Sequence, residues 1–131
     1  MQIQSQSLLQ PNASARGPFK VSPQDLDDVV KQIIERFSPH KIILFGSYAY
    51  GQPHEASDVD LLVILDSKDK EAQEAVRICQ GISYHFPLDL IVRTPETIQW
   101  RVSLGDSFLT EILKNGKILY ERSDRRVALE S

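Results

Sequence analysis

Acidic and hydroxyl side chains stand at the ends of two very apolar segments of this chain. Asp58 and Asp60 lie at the start of the run VDLLVIL, and Gly46-Ser47 closes the run KIILF shortly before it. Burying carboxylates is costly unless positive charge compensates them. The pattern therefore indicates a site in which the aspartates share a cation or another positive partner.

The predicted strands explain how these residues meet. If KIILF and VDLLVIL pair antiparallel, Ser47 lies beside Asp58 and Asp60, which are two apart and face one side of the strand. The next link is long enough for the helix that joins parallel strands. The strand PLDLIV would then start at the same end of the sheet, with Asp89 near its start.

Three close carboxylates repel one another and are expected to take up protons unless a cation is present. Ligands that offer only oxygen favour Mg²⁺ or Mn²⁺, and the histidines at 40, 54 and 85 have no metal-ligand spacing. Two ions about 4 Å apart would suit a phosphoryl-type displacement. The carboxylates therefore predict a divalent metal site.

Gly46 and Ser47 predict the complementary part of the site. Glycine allows a close approach of the backbone to a ligand, and Ser47 offers a hydroxyl and an N–H group. If residues 47–50 begin a helical turn, their N–H groups form an anion site for phosphates. The combination indicates a nucleoside triphosphate bound together with metal.

The gross properties indicate one ordinary globular domain. The chain has 131 residues, a formal net charge of −3 and a single cysteine, Cys79, so nucleic-acid binding by charge alone is not expected. It has no stretch of about 20 apolar residues and no convincing secretory signal, and a cytoplasmic location is expected. We predict a flexible leader at 1–18, the domain at 19–121 and a charged tail at 122–131.

The pattern of segments predicts the fold class. Helices are expected from Pro23, after the N-cap Ser22, to about Phe37, within 67–86, after the N-cap Thr94 to about Ser103, and over 106–116. They alternate with strands at 41–45, 59–65 and 87–92, and a last short strand is expected at 117–120. The prediction is α/β (α+β): a small mixed sheet of three to four strands with helices packed on one face.

The spacing of Gly46-Ser47, ten residues and Asp58-x-Asp60 resembles the GS-x10-DxD signature of the DNA polymerase β-like nucleotidyltransferases. More narrowly, the chain resembles the minimal nucleotidyltransferase (MNT) domains that act as antitoxins beside HEPN-domain ribonuclease toxins. The resemblance covers about 20–121 and includes the stretches FGSYAYG, SDVDLLVIL, LDLIVRTPE and GKILYER.

The resemblance implies the polymerase β-like fold and a role for each motif residue. Asp58 and Asp60 would bind two Mg²⁺ ions (or Mn²⁺), Asp89 would complete one metal site and help deprotonate the acceptor, and Gly46 and Ser47 would hold the triphosphate. The reaction would transfer AMP from ATP to a hydroxyl, in these antitoxins a tyrosine of the partner HEPN toxin encoded nearby. A hetero-oligomer with that toxin is expected.

The chain departs from the family at Tyr50, where members often carry an arginine in G-S-x-A-R-G. Lys41, Arg93 or Arg101 could replace that cation. Plainer alternatives are a turn at Gly46-Ser47, a solvated edge pair of aspartates, and an Asp89 that only pairs with Arg93. At the level of function, the alternatives are a non-catalytic antitoxin that blocks the toxin by contact and a nucleotidyltransferase acting on a small molecule.

Overall fold

The protein is described by a computed structural model in which residues 21–51 and 58–123 are defined. These residues form four helices and four strands: α1 Pro23–Phe37, β1 Lys41–Phe45, β2 Val59–Ile64, α2 Glu71–Gly81, β3 Leu88–Arg93, α3 Pro95–Ser103, α4 Ser107–Asn115 and β4 Lys117–Glu121. The predicted leader and residues 124–131 of the predicted tail lie outside the described residues.

The four strands form one mixed sheet in the order β3-β2-β1-β4. β1 pairs antiparallel with both β2 and β4, whereas β3 runs parallel to β2. α2 lies in the connection between the two parallel strands, as such a crossover requires. Both predicted strand pairings are therefore confirmed, and the predicted fold class is confirmed with them.

The helices begin where the local sequence predicts. At α1, the Ser22 hydroxyl accepts a hydrogen bond from the N–H of Asp25, and the Asp25 carboxylate accepts one from the N–H of Ser22, both at 3.1 Å. At α3, the Thr94 hydroxyl accepts from the N–H of Thr97 at 3.1 Å. α2 is shorter than its run of helix-forming residues, since it ends at Gly81.

The core has two layers, one on each face of the sheet. Ile42 and Leu44 of β1 pack with α1 and α2, whereas Ile43 between them packs with buried residues of α4. Alternate residues of a strand face opposite sides, so α1 and α2 cover one face and α3 and α4 cover the other. The expectation of helices on one face only was wrong, because Leu109 and Ile112 of α4 are buried against Ile43 on the face opposite α1 and α2.

No helix in the described parts of the chain is both long and apolar enough to cross a membrane.

Candidate active site

A tight turn follows β1 directly. The N–H groups of Ala49 and Tyr50 donate to the carbonyl oxygen of Gly46 at 3.0 and 3.2 Å. Gly46 itself has φ +76°, a left-handed conformation that glycine adopts without strain. The helical turn predicted after Gly46 is thus present, and the half-buried Ser47 lies at its start.

This turn is in contact with the carboxylate of Asp60. Phe45, the last residue of β1, is the Cα partner of Asp60 in the antiparallel pair. A Cβ atom added to Gly46 would lie 2.1 Å from Oδ2 of Asp60, far inside van der Waals contact. Only glycine therefore allows the turn and the carboxylate to lie this close.

Asp89 stands next to Asp60 on the neighbouring strand. The two residues are Cα partners in the parallel pair of β2 and β3, so their side chains share one face. Burial, the negative charges of Asp89 and Asp58, and a side-chain hydrogen bond with Asp89 together raise the pKa of Asp60 from 3.8 to about 6. A carboxyl that gains its proton in this way can donate a hydrogen bond to its ionised neighbour.

Asp58 stands apart from this pair. It precedes the first residue of β2 and is exposed, and its charge still raises the pKa of Asp60. Among residues 21–51 and 58–123, no three His, Cys, Asp or Glu side chains are grouped closely enough to form a ready-made metal cage. The three predicted ligands are therefore at the same end of the sheet, with two of them in direct contact.

The donor set nevertheless suits Mg²⁺. All three side chains offer only carboxylate oxygens, and magnesium usually keeps several waters and shares its shell with substrate phosphates. A cation between Asp60 and Asp89 would also cancel the repulsion that raises the pKa of Asp60. The assignment of Asp58, Asp60 and Asp89 as metal ligands and of Gly46 and Ser47 as nucleotide ligands stays a prediction.

Of the three cations that could replace the missing arginine, Lys41 and Arg93 lie at the opposite end of the sheet, and Arg101 forms an ion pair with Asp106 at 3.0 Å. Lys41 opens β1 and pairs with Glu121 at 3.3 Å, at the strand end opposite Gly46. Arg93 closes β3, four residues beyond Asp89, which is about 13 Å along an extended strand. The Arg93 guanidinium donates to the Val92 carbonyl at 2.7 Å, and among the described residues it forms no ion pair with Asp89. The reading in which Asp89 only pairs with Arg93 is therefore excluded.

The sequence did not predict an aromatic pair that lies next to Asp60. The rings of Phe45 and Phe108 lie 5.7 Å apart, edge to face at 86°, and Phe108 is 51% exposed. Phe108 lies in the first turn of α4, far along the chain from Asp60. No local pattern could have connected them, since only the packing of α4 on the sheet brings them together.

A cavity of about 590 Å³ lies beside β3, away from the carboxylates. Its walls come from α2, from the end of β3 and from α3, and they include Ala75, Val92 and Trp100. The lining contains neither the aspartates nor Gly46 and Ser47. Among the described residues, Asp58 and Asp89 are exposed and Asp60 is half-buried at this end of the sheet.

Comparison with known protein families identifies the family of this chain. The profile of the nucleotidyltransferase domain matches residues 26–120, which include the turn and all three aspartates. The chain belongs to the nucleotidyltransferase domain family. It is accordingly a nucleotidyltransferase, of a family that generally uses ATP and a divalent metal ion.

Two relatives from Methanocaldococcus jannaschii, MJ0604 and MJ0141, are named as candidate protein adenylyltransferases. The first is 33% identical over 82 residues, covering 61% of this chain and 77% of its own length. The second is 30% identical over 100 residues, covering 75% of this chain and 91% of its own length.

The fold is also similar to a solved structure. A crystal structure of a candidate nucleotidyltransferase from Sulfolobus solfataricus matches with a TM-score of 0.54 and 17% identity, covering 85% of this chain and 86% of that one. At this identity, the likeness supports the polymerase β-like fold alone.

Proposed function

We propose that this chain is a protein adenylyltransferase that transfers AMP from ATP to a hydroxyl group of a partner protein. The acceptor is a tyrosine of a HEPN-family toxin encoded nearby, and the modification neutralises that toxin. One observation supports the chemistry above all: the turn at Gly46 touches Asp60, and Asp60 touches Asp89, so a phosphate-binding turn and acidic ligands form one site.

Asp58, Asp60 and Asp89 would hold the divalent metal, as two Mg²⁺ ions or Mn²⁺. When bound, the metal supplies positive charge that screens the phosphates and stabilises the charge developing on the attacking and leaving oxygens. The N–H groups at the start of the turn and the Ser47 hydroxyl orient the triphosphate.

The reaction is a displacement at the α-phosphorus. The acceptor hydroxyl oxygen forms a new bond to phosphorus, and the bond to the bridging oxygen breaks, so that pyrophosphate leaves. The proton of the hydroxyl passes to the Asp89 carboxylate, which is exposed and can approach an incoming side chain.

The exposure of Asp58 and Asp89 supports a macromolecular acceptor. The carboxylate pair lies at the end of the sheet, and the cavity beside β3 does not include it. A small acceptor needs an enclosing pocket for its affinity, whereas a protein acceptor brings its own surface. The names of the Methanocaldococcus relatives point the same way, because they specify protein as the substrate.

Intact-mass spectrometry tests this proposal. The protein is incubated with the product of the adjacent gene, ATP and Mg²⁺, and a gain of one or more AMP units on the partner is expected. The double variant Asp58→Ala plus Asp60→Ala should abolish the gain. The matched control Asp27→Ala plus Asp28→Ala removes the same charge from the exposed side of α1 and should leave the gain of mass unchanged.

A second candidate is a module that blocks the toxin by contact alone. Tyr50 favours it, because the turn lacks the arginine of many relatives and neither Lys41 nor Arg93 takes its place. The same experiment separates the two functions. Full inhibition of the partner's ribonuclease activity without any gain of mass would support the binding module and contradict the transferase.

A further inference from the structure

An exposed aromatic ring lies one side chain away from the candidate carboxylates. Phe45 and Asp60 are Cα partners in adjacent antiparallel strands, so they share a face, and their Cα atoms are about 5 Å apart. The ring of Phe108 contacts that of Phe45, with 5.7 Å between the ring centroids. Phe45 therefore lies between the Asp60 carboxylate and the exposed ring of Phe108 in this chain of neighbouring residues.

The geometry of the two rings leaves a stacking surface free. In an edge-to-face contact at 86°, Phe45 can cover at most one face of the Phe108 ring, so the other face is clear of Phe45. Phe108 remains 51% exposed although Leu109 and Ile112 on the same helix are almost completely buried. An aromatic side chain held rigidly by its helix but open to solvent is suited to a flat ligand.

We propose that Phe108, supported by Phe45, stacks against the nucleobase of the bound nucleoside triphosphate. The inference rests on the proposed function, which places the triphosphate at Gly46 and Ser47. Phe45 immediately precedes that turn, so a nucleotide whose phosphates lie at the turn can extend its sugar over Phe45 and its base onto Phe108. Stacking tolerates any base, so Phe108 provides affinity for the base without choosing adenine.

The main competing position for the base is the cavity beside β3. Its lining includes Trp100, which is 59% exposed, and it follows β3 from Leu90 to Arg93, but it includes neither Asp89 nor the turn. Phe108 is favoured because it is joined through Phe45 to both the turn and Asp60. Trp100 is thus a matched control: an exposed aromatic residue of similar accessibility on the neighbouring helix.

The test is the binding of two probes, ATP and inorganic tripolyphosphate, each with Mg²⁺, measured by isothermal titration calorimetry. Phe108→Ala is expected to weaken ATP binding at least about fivefold, the lower end of the effect of a base–aromatic stack. Tripolyphosphate, which has no base, should bind the variant and the wild type equally. Phe108→Tyr retains a ring and should retain ATP affinity, and Trp100→Ala should bind both probes normally.

Three results would overturn the inference. The first is equal ATP affinity of Phe108→Ala and the wild type. The second is a loss of ATP binding in Trp100→Ala but not in Phe108→Ala, which moves the base to the cavity. The third is an equal loss of both probes in Phe108→Ala, which assigns Phe108 to the support of the turn. A wild type that binds neither probe contradicts the proposed function itself.

Discussion

Gly46 is the residue on which the geometry of the candidate site most directly depends. It combines a positive φ with a position where any β-carbon would collide with the carboxylate of Asp60. Gly51 has the same φ of +76°, but a β-carbon there would meet nothing within 4 Å. A substitution at Gly51 therefore tests backbone strain alone, whereas the same substitution at Gly46 adds the collision with Asp60.

We predict that Gly46→Ala reduces AMP transfer about 100-fold, the order of loss that follows a displacement of about 1 Å in a reacting group. Gly51→Ala should lose about 1–2 kcal/mol of unfolding free energy through the left-handed conformation alone and keep most of its activity. Single-turnover transfer and urea unfolding of both variants provide the comparison. Equal activity of the two variants would show that Asp60 does not need the space at Gly46.

The raised pKa of Asp60 makes stability depend on pH when metal is absent. In the folded protein the carboxyl keeps its proton up to about pH 6, whereas the usual value is 3.8. The folded state thus binds a proton that the unfolded chain has released, so stability falls as pH rises from about 4 through about 6. Because solvent screens the charge of a carboxyl that is only half-buried, the loss of unfolding free energy is limited to about 1 kcal/mol.

We predict that Asp60→Asn flattens this dependence, since asparagine stays neutral and can still donate to Asp89. Urea unfolding between pH 4 and 7 in the presence of a chelator measures the slope for both proteins. Mg²⁺ added at pH 7 should restore stability to the wild type and not to the variant. An unchanged slope in Asp60→Asn would place the pH dependence elsewhere in the protein.

At the level of elements, α2 determines how Asp89 is placed next to Asp60. The helix is the crossover between β2 and β3, and it is anchored by Glu74, which is only 8% exposed. The Glu74 carboxylate accepts a hydrogen bond from the Ser67 hydroxyl and pairs with Arg77 at 2.9 Å. A buried carboxylate held in this way ties the start of the crossover to the loop after β2.

Glu74→Ala is expected to lower the unfolding free energy by about 1–3 kcal/mol, because it removes the hydrogen bond from the Ser67 hydroxyl to a buried carboxylate and the pairing with Arg77. Arg77→Ala should cost about 1 kcal/mol or less, since the Arg77 side chain is 54% exposed. Circular dichroism during urea unfolding gives both values. A smaller loss for Glu74→Ala than for Arg77→Ala would refute the role of Glu74 as the anchor.

At the level of the whole molecule, the charge distribution does not favour a triphosphate at the candidate site. The net charge is −3, the aspartates add local negative potential, and Lys41 and Arg93 lie at the far ends of their strands. The affinity for a polyanion must then depend on the turn and on the metal ion more than on side-chain cations.

We predict that Tyr50→Arg strengthens the binding of ATP with Mg²⁺ by severalfold, because it adds a cation to an exposed position of the turn. The gain should shrink as salt is raised from 50 to 500 mM, since the new charge is open to solvent. Tyr50→Gln is the neutral control. A gain of similar size in Tyr50→Gln would indicate that removal of the ring, and not the new charge, is responsible.

Short-range features of the sequence determined where the helices and strands lie. They also determined that the acidic residues stand at one end of the sheet. Caps such as Ser22 and Thr94 and the helical spacing of apolar residues act within about a dozen residues, and the crossover between β2 and β3 covers only 65–87. They were sufficient to predict both strand pairings and thereby the adjacency of Asp60 and Asp89, which the register confirms.

Only the tertiary structure decided which distant side chains meet. It placed helices on both faces of the sheet, brought Phe108 to Phe45, kept Lys41 and Arg93 away from the turn, and left Asp58 outside the contact between Asp60 and Asp89. These outcomes depend on how the helices pack across the strands. That packing is a property of the whole core and leaves no trace in the spacing of neighbouring residues.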